Sequence, residues 1–133
     1  MAIIIDTDVI IKGEKGRFDL RGWLAAQKGA ELEIAAITVA ELWHGIERAT
    51  PAHRAKRERY VRAIVERLPV IPYTEAMALV HAQIWAGLES SGKMIGAHDL
   101  ILAATALERD SVVATFNKRH FVLVPGLKVT EPS

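Results

Sequence analysis

Cysteine is absent from all 133 residues, which rules out both a disulfide framework and a thiolate zinc site and suits a reducing compartment such as the cytoplasm. No apolar run approaches the roughly 18 residues that a membrane span requires. Met1-Ala2 leads into the first apolar stretch without a basic leader, so a soluble intracellular protein is expected. A dominant charge is missing too. The formal net charge is only +1, so any argument for nucleic-acid binding must come from how charge is distributed. There is no linker, internal repeat or low-complexity tract, and the length fits a single domain over 1–133.

What is present begins with Ile3-Ile4-Ile5-Asp6-Thr7-Asp8. Three β-branched residues running into an acidic pair read as a strand buried on both faces, with its far end opening into a polar site. In open α/β sheets ligands bind beyond the carboxyl ends of the strands, so Asp6 is the first candidate site residue.

Val9 to Gly16 reads as an exposed connection ending in Lys12-Gly13-Glu14-Lys15-Gly16. Phe18, Leu20, Trp23 and Leu24 recur at near-helical spacing up to Gly29, which suits a helix stop. Glu33 to Ile37 reads as the second strand. Thr38-Val39-Ala40-Glu41 then has the capping-box pattern and opens a helix to about Arg48, which gives Glu41 a purely structural reason to exist. From Thr50-Pro51 a further helix carries Tyr60, Val61, Ile64, Val65 and Leu68 as its apolar stripe, with basic residues from Arg54 to Arg67 elsewhere. That basic concentration is either a solvated face or a surface for RNA phosphates or an acidic partner.

Pro69-Val70-Ile71-Pro72 reads as a minor strand or link, and Thr74 to Ser90 as a helix with Ala76, Leu79, Val80, Ile84 and Leu88 on its packed face. His81 and Trp85 are assigned to packing or surface. Asp99 opens a helix, Leu100 to Leu107, that is apolar almost all round and therefore buried. A carboxylate in a first helical turn also has a structural rationale, and His98 beside it reads as surface or supporting. Ser111 to Thr115 reads as a strand, Phe116 to Phe121 as a loop, and one of Val122–Val124 and Leu127–Val129 as an edge strand.

Alternating strands and helices predict an α/β fold with a parallel sheet covered on both faces. Right-handed crossovers bring successive strand ends to one side, where Asp6, Glu41, Asp99, Thr115 and Asn117 would meet. Two carboxylates ~4 Å apart repel by roughly 4 kcal/mol at an effective dielectric of 20, so such a cluster calls for a cation. Oxygen donors alone suit Mg²⁺ or Mn²⁺, which supports phosphodiester hydrolysis.

These segments together resemble the PIN-domain ribonucleases, specifically VapC-type toxins of bacterial toxin–antitoxin pairs. The resemblance rests on Ile4-Ile5-Asp6-Thr7-Asp8, Ile37-Thr38-Val39-Ala40-Glu41-Leu42 with Gly45 and Arg48, Ile95 to Ala104 around Asp99, and Thr115-Phe116-Asn117 with Phe121 and Pro125-Gly126-Leu127. It covers the whole chain in order. It implies a PIN-like three-layer α/β/α fold with about five parallel strands and an acidic metal site of Asp6, Glu41 and Asp99, where Asp6 and Asp99 are the principal ligands. It also implies a Mg²⁺-dependent endoribonuclease (Mn²⁺ an alternative ion) acting on RNA such as tRNA or rRNA, a homodimer, and a VapB-like antitoxin partner. Where related chains carry a fourth acid, this one has Asn117 and His120. Asn117 and Thr115 are therefore carried as neutral oxygen donors to the cofactor, and Asp8 is assigned to capping the following turn.

Three alternatives compete. A haloacid-dehalogenase phosphatase would share the Asp-x-Asp strand end but needs a later catalytic lysine and acidic pair with no candidates here. A response-regulator receiver needs an acceptor Asp closing a middle strand. A non-catalytic PIN-like RNA- or antitoxin-binding module draws support from the missing fourth acid.

Overall fold

The opening isoleucines form the middle of the molecule. In the computed structural model, which describes residues 1–133, β1 (Ala2–Ile5) is the central strand of a five-stranded sheet. The others are β2 (Glu31–Ala35), β3 (Val70–Ile71), β4 (Val112–Ala114) and β5 (Lys128–Thr130), in the order β3-β2-β1-β4-β5. All neighbouring pairs are parallel, with Ile3 opposite Leu32 on one side and Val112 on the other. The chain moves outward from β1 to β3, then crosses back to β4. The order therefore reverses at the β1–β4 boundary, and Asp6 stands at the carboxyl end of that boundary.

Side-chain alternation along β1 divides the core into two layers. Ile3 and Ile5 pack with Val9, Ile10, Trp23, Leu42 and Val61, residues of α1 (Thr7–Glu14), α2 (Leu20–Ala26), α3 (Ala36–Glu47) and α4 (Pro51–Arg67). Ile4 faces the other way, against Ile84, Leu88, Leu102, Ala103 and Phe121 of α5 (Glu75–Ser90), α6 (Ala97–Glu108) and α7 (Lys118–Phe121). This is the expected three-layer architecture. No helix is long and apolar enough to cross a membrane.

Local readings fail in four places. Residues 9–16 are mainly helix: Asp6 is the N-cap of α1, and Val9 and Ile10 are fully buried where an exposed loop was expected. β-Branching lowers their helix propensity slightly, but burial against the sheet overrides that weak preference. Gly13 is required here, since a Cβ would lie 2.7 Å from Leu20 Cβ and 2.9 Å from the Tyr60 hydroxyl.

The second strand ends at Ala35, and α3 starts at once with no side-chain cap. The capping box is therefore absent: Thr38 lies inside the helix, fully buried, with its hydroxyl unpartnered. Leu79 is 64% exposed on α5, and Met77 takes a buried position instead. Finally, the loop expected after β4 contains α7, whose Phe121 is fully buried and anchors it. Of the two closing apolar runs, the second forms the edge strand β5.

Candidate active site

Asp6 leaves the end of β1 almost completely buried. Its Oδ1 accepts from the Thr7 backbone N–H at 2.8 Å and its Oδ2 from the Thr115 hydroxyl at 2.8 Å. Thr115, itself inaccessible to solvent, accepts in turn from the Asn117 N–H at 2.9 Å. A carboxylate orientation is thus fixed by the first turn of α1 and by the exit from β4. Asn117 is exposed at the start of α7, and its side chain makes no capping bond.

Thr7 links two acids. While its N–H serves Asp6, its hydroxyl donates to Glu41 Oε1 at 2.6 Å. The other Glu41 oxygen lies 3.3 Å from His98 Nδ1. Glu41 thus faces the site from the second turn of α3, and its bonds go across to α1 and α6 instead of back to its own helix. Asp99, in the first turn of α6, is 3.4 Å from His120 Nδ1 of α7.

Asp8 was read as a simple turn cap, but Asp6 holds that position. Asp8 lies in the first turn of α1 and reaches across to β4, accepting from the Phe116 N–H at 3.1 Å through Oδ2. Its Oδ1 is buried without a hydrogen-bond partner. The sequence held one signal for this. Had the helix been seen to start directly after Asp6, position 8 would have been recognised as belonging to the same first turn.

Electrostatically the acids act on one another. Burial pushes the Asp6 carboxyl up to about 7, with Asp8 and then Asp99 adding repulsion, against the opposing bonds from Thr115 and Thr7. Burial also raises Asp8, with Asp99 adding to it while the Phe116 N–H, Lys12 and the Val9 N–H oppose. Asp99 is raised chiefly by burial and further by Glu41, and His120 pulls the other way.

No three acidic or histidine side chains are drawn tightly enough together to grip an ion as they stand. They are close enough, however, to raise one another's pKa, and one buried carboxylate oxygen is unmatched. An all-oxygen acidic set in which negative charge is unmatched fits a hard divalent cation. Beside Glu41 a cavity of about 130 Å³ opens between α1, α3 and α4, walled by Lys15, Gly45, Arg57 and Tyr60.

Known proteins match this chain over nearly its full length. The PIN domain family model matches residues 3–127. The VapC ribonuclease Y4jK of Sinorhizobium fredii is 34% identical over 137 aligned residues, covering 98% of this chain and 96% of that protein. The tRNA(fMet)-specific endonuclease VapC of Salmonella typhimurium is 33% identical over 98 residues, 74% of this chain and 73% of its own. In the crystal structure of DNA-bound VapBC from Salmonella typhimurium, a chain of 27% identity superimposes with a TM-score of 0.90, covering 98% of both chains.

Proposed function

The chain belongs to the PIN domain family, and from that premise we propose that it is a divalent-metal-dependent endoribonuclease, the toxin of a VapBC-type toxin–antitoxin pair. The observation that carries this reading is the convergence of Asp6, Glu41 and Asp99, from the end of β1, the second turn of α3 and the first turn of α6, at the reversal of the sheet.

Asp6, Glu41 and Asp99 would hold Mg²⁺ or Mn²⁺ through oxygen. A cation held there supplies activation of water and charge compensation at a phosphodiester. The chain's own groups do the rest. Thr115 and the Thr7 N–H fix the Asp6 carboxylate, and the Thr7 hydroxyl locks Glu41 to the same turn. Glu41, with 31% of its side chain exposed, is the carboxylate we assign to accepting a proton from the attacking water. His120 steadies Asp99. Thr115 acts through Asp6, and Asn117 is left to offer its amide oxygen.

The substrate is RNA, with tRNA favoured by the likeness to a tRNA-specific relative. The remaining assignments follow the family: one catalytic domain over 1–133, a homodimer, a VapB-like antitoxin and a cytoplasmic location. Purified free of partner, the protein is expected to cleave RNA with Mg²⁺ or Mn²⁺. Chelation or Asp6→Asn should cost more than the roughly 10- to 100-fold typical of losing a ligand's supporting partner. Cleavage that persists in EDTA, or full activity in Asp99→Asn, would overturn the reading.

A further inference from the structure

We propose that the cavity beside Glu41 and a basic hollow between α1 and α4 form one channel that seats the RNA backbone on one side of the scissile bond, with Gly45 keeping it open. The proposal rests on the nuclease reading above and adds to it where the strand leaves the acidic site.

The argument begins at Gly45. Alanine is the better residue in a helix interior, so a glycine there calls for a reason. Gly13 has one, because a Cβ would run into Leu20 and Tyr60. At Gly45 packing supplies none: apart from its own helix, the one atom within 4 Å of an added Cβ is Arg57 Nη1, at an ordinary 4.0 Å. Gly45 stands one turn beyond Glu41 on α3, and both line the same cavity of about 130 Å³. A side chain at 45 would therefore fill space that the fold leaves empty next to Glu41.

That cavity continues outward. Glu14, Lys15, Arg57 and Tyr60 wall both it and a second hollow of about 220 Å³, to which His53 and Lys56 are added. Tyr60 is tied to the Ile10 carbonyl at 2.9 Å, and Arg57 is committed to Glu14 and the Gly45 carbonyl, both at 3.3 Å. Lys15 and Lys56 are exposed and form no ion pair, so the channel carries two uncompensated ammonium groups. The inner cavity is well below the roughly 300 Å³ at which pockets for whole small molecules begin, so it suits a phosphate better than a base. An extended polyanion, with one phosphate near Lys15 and another near Lys56, matches both the narrowness and the charge.

Fluorescence anisotropy of a short labelled single-stranded RNA of mixed sequence, with the partner-free chain in EDTA, reads binding without cleavage. Gly45→Ala and Gly45→Leu are expected to weaken binding progressively, by about tenfold for leucine, the scale of two lost phosphate contacts. Gly45→Ala should meanwhile melt at or above the wild-type temperature. Joint Lys15→Ala and Lys56→Ala should flatten the salt slope by about 1.4, and adding Gly45→Leu to that pair should cost little more, because all three act on one channel. Wild-type affinity and slope in Gly45→Leu, or in Gly45→Ala should the leucine variant not fold, overturns the proposal. So does a loss that simply adds to that of the lysine pair. Poly-L-glutamate that loses affinity with the two lysines while RNA does not would assign the channel to an acidic peptide, and overturns it too. A wild-type chain that cleaves RNA with Mn²⁺ while its binding ignores Gly45 and both lysines defeats only the channel. One that neither binds nor cleaves RNA defeats the nuclease reading itself.

Discussion

Asp6 commits both carboxylate oxygens to protein donors, yet burial and its acidic neighbours still push it up to about 7 from an unfolded value of 3.8. Between those values the folded chain binds more protons than the unfolded chain. Its stability therefore falls as pH rises through that window, the reverse of an ordinary paired carboxylate. Asp8 and Asp99 are shifted the same way and add to the slope. In chelator, the melting temperature is thus expected to be higher near pH 5 than near pH 8. Asp6→Asn should flatten this dependence and stabilise the protein at pH 8, with linkage setting a scale on the order of 2–4 kcal/mol. Thermal unfolding across pH checks both, and a wild-type stability that climbs from pH 5 to 8 would contradict the assignment. The acids at 6 and 99 stood out because a strand end and a helix start are detectable in one dimension, whereas Glu41 was picked out beside a helix cap that the structure lacks. The roles of Thr7, Asp8, His98 and His120 were not, because each acts on a partner from another element.

At the scale of elements, α4 changes most between sequence and structure. Read as a row, its basic residues suggest a broad cationic face. In space, Arg54 is paired with Glu47 at 2.9 Å, Arg57 with Glu14 at 3.3 Å and the Gly45 carbonyl, and Arg62 with Glu58 while also covering Trp43. Lys56 and Lys15 are exposed, form no ion pair, and flank one hollow with His53 and Arg57. RNA contact on this face is therefore expected through the lysines. Lys15→Ala and Lys56→Ala should each lower the salt slope of RNA binding by about 0.7–0.9, and Arg54→Ala should leave it unchanged. Binding isotherms at several salt concentrations measure this, and a slope that responds to Arg54 alone would refute it. The helices α4, α5 and α6 were legible because length and an apolar stripe outweigh local noise. α1 was not: Val9, Ile10 and Ile11 look like a strand continuing, and only packing against β1 makes them helical. The start of α3 was misplaced because Thr38-x-x-Glu41 imitates a cap, a likeness that only the position of Ala35 dispels.

Across the whole molecule, buried acid is treated in two different ways. In the middle of β2 Glu33 is buried, yet Arg109 grips both of its oxygens at 3.0 and 2.8 Å and Ser111 adds a third bond. That charge is compensated within the chain, whereas the cluster at the carboxyl ends is not. Arg109→Ala should therefore destabilise the fold by about 3 kcal/mol through an unpaired buried carboxylate, without altering Mn²⁺ affinity. Urea unfolding beside a metal titration checks this, and equal damage to both would show that the two acidic sites are not independent. The bond from Thr115 to Asp6 has a further consequence, because it spans 109 residues of sequence. Contacts of that separation close late, and β4 must leave the ribosome before it can dock beside β1. Until residues 112–115 have emerged, the nascent chain carries its first acid without the strand that orients it. Nuclease competence then waits on the docking of β4 beside β1.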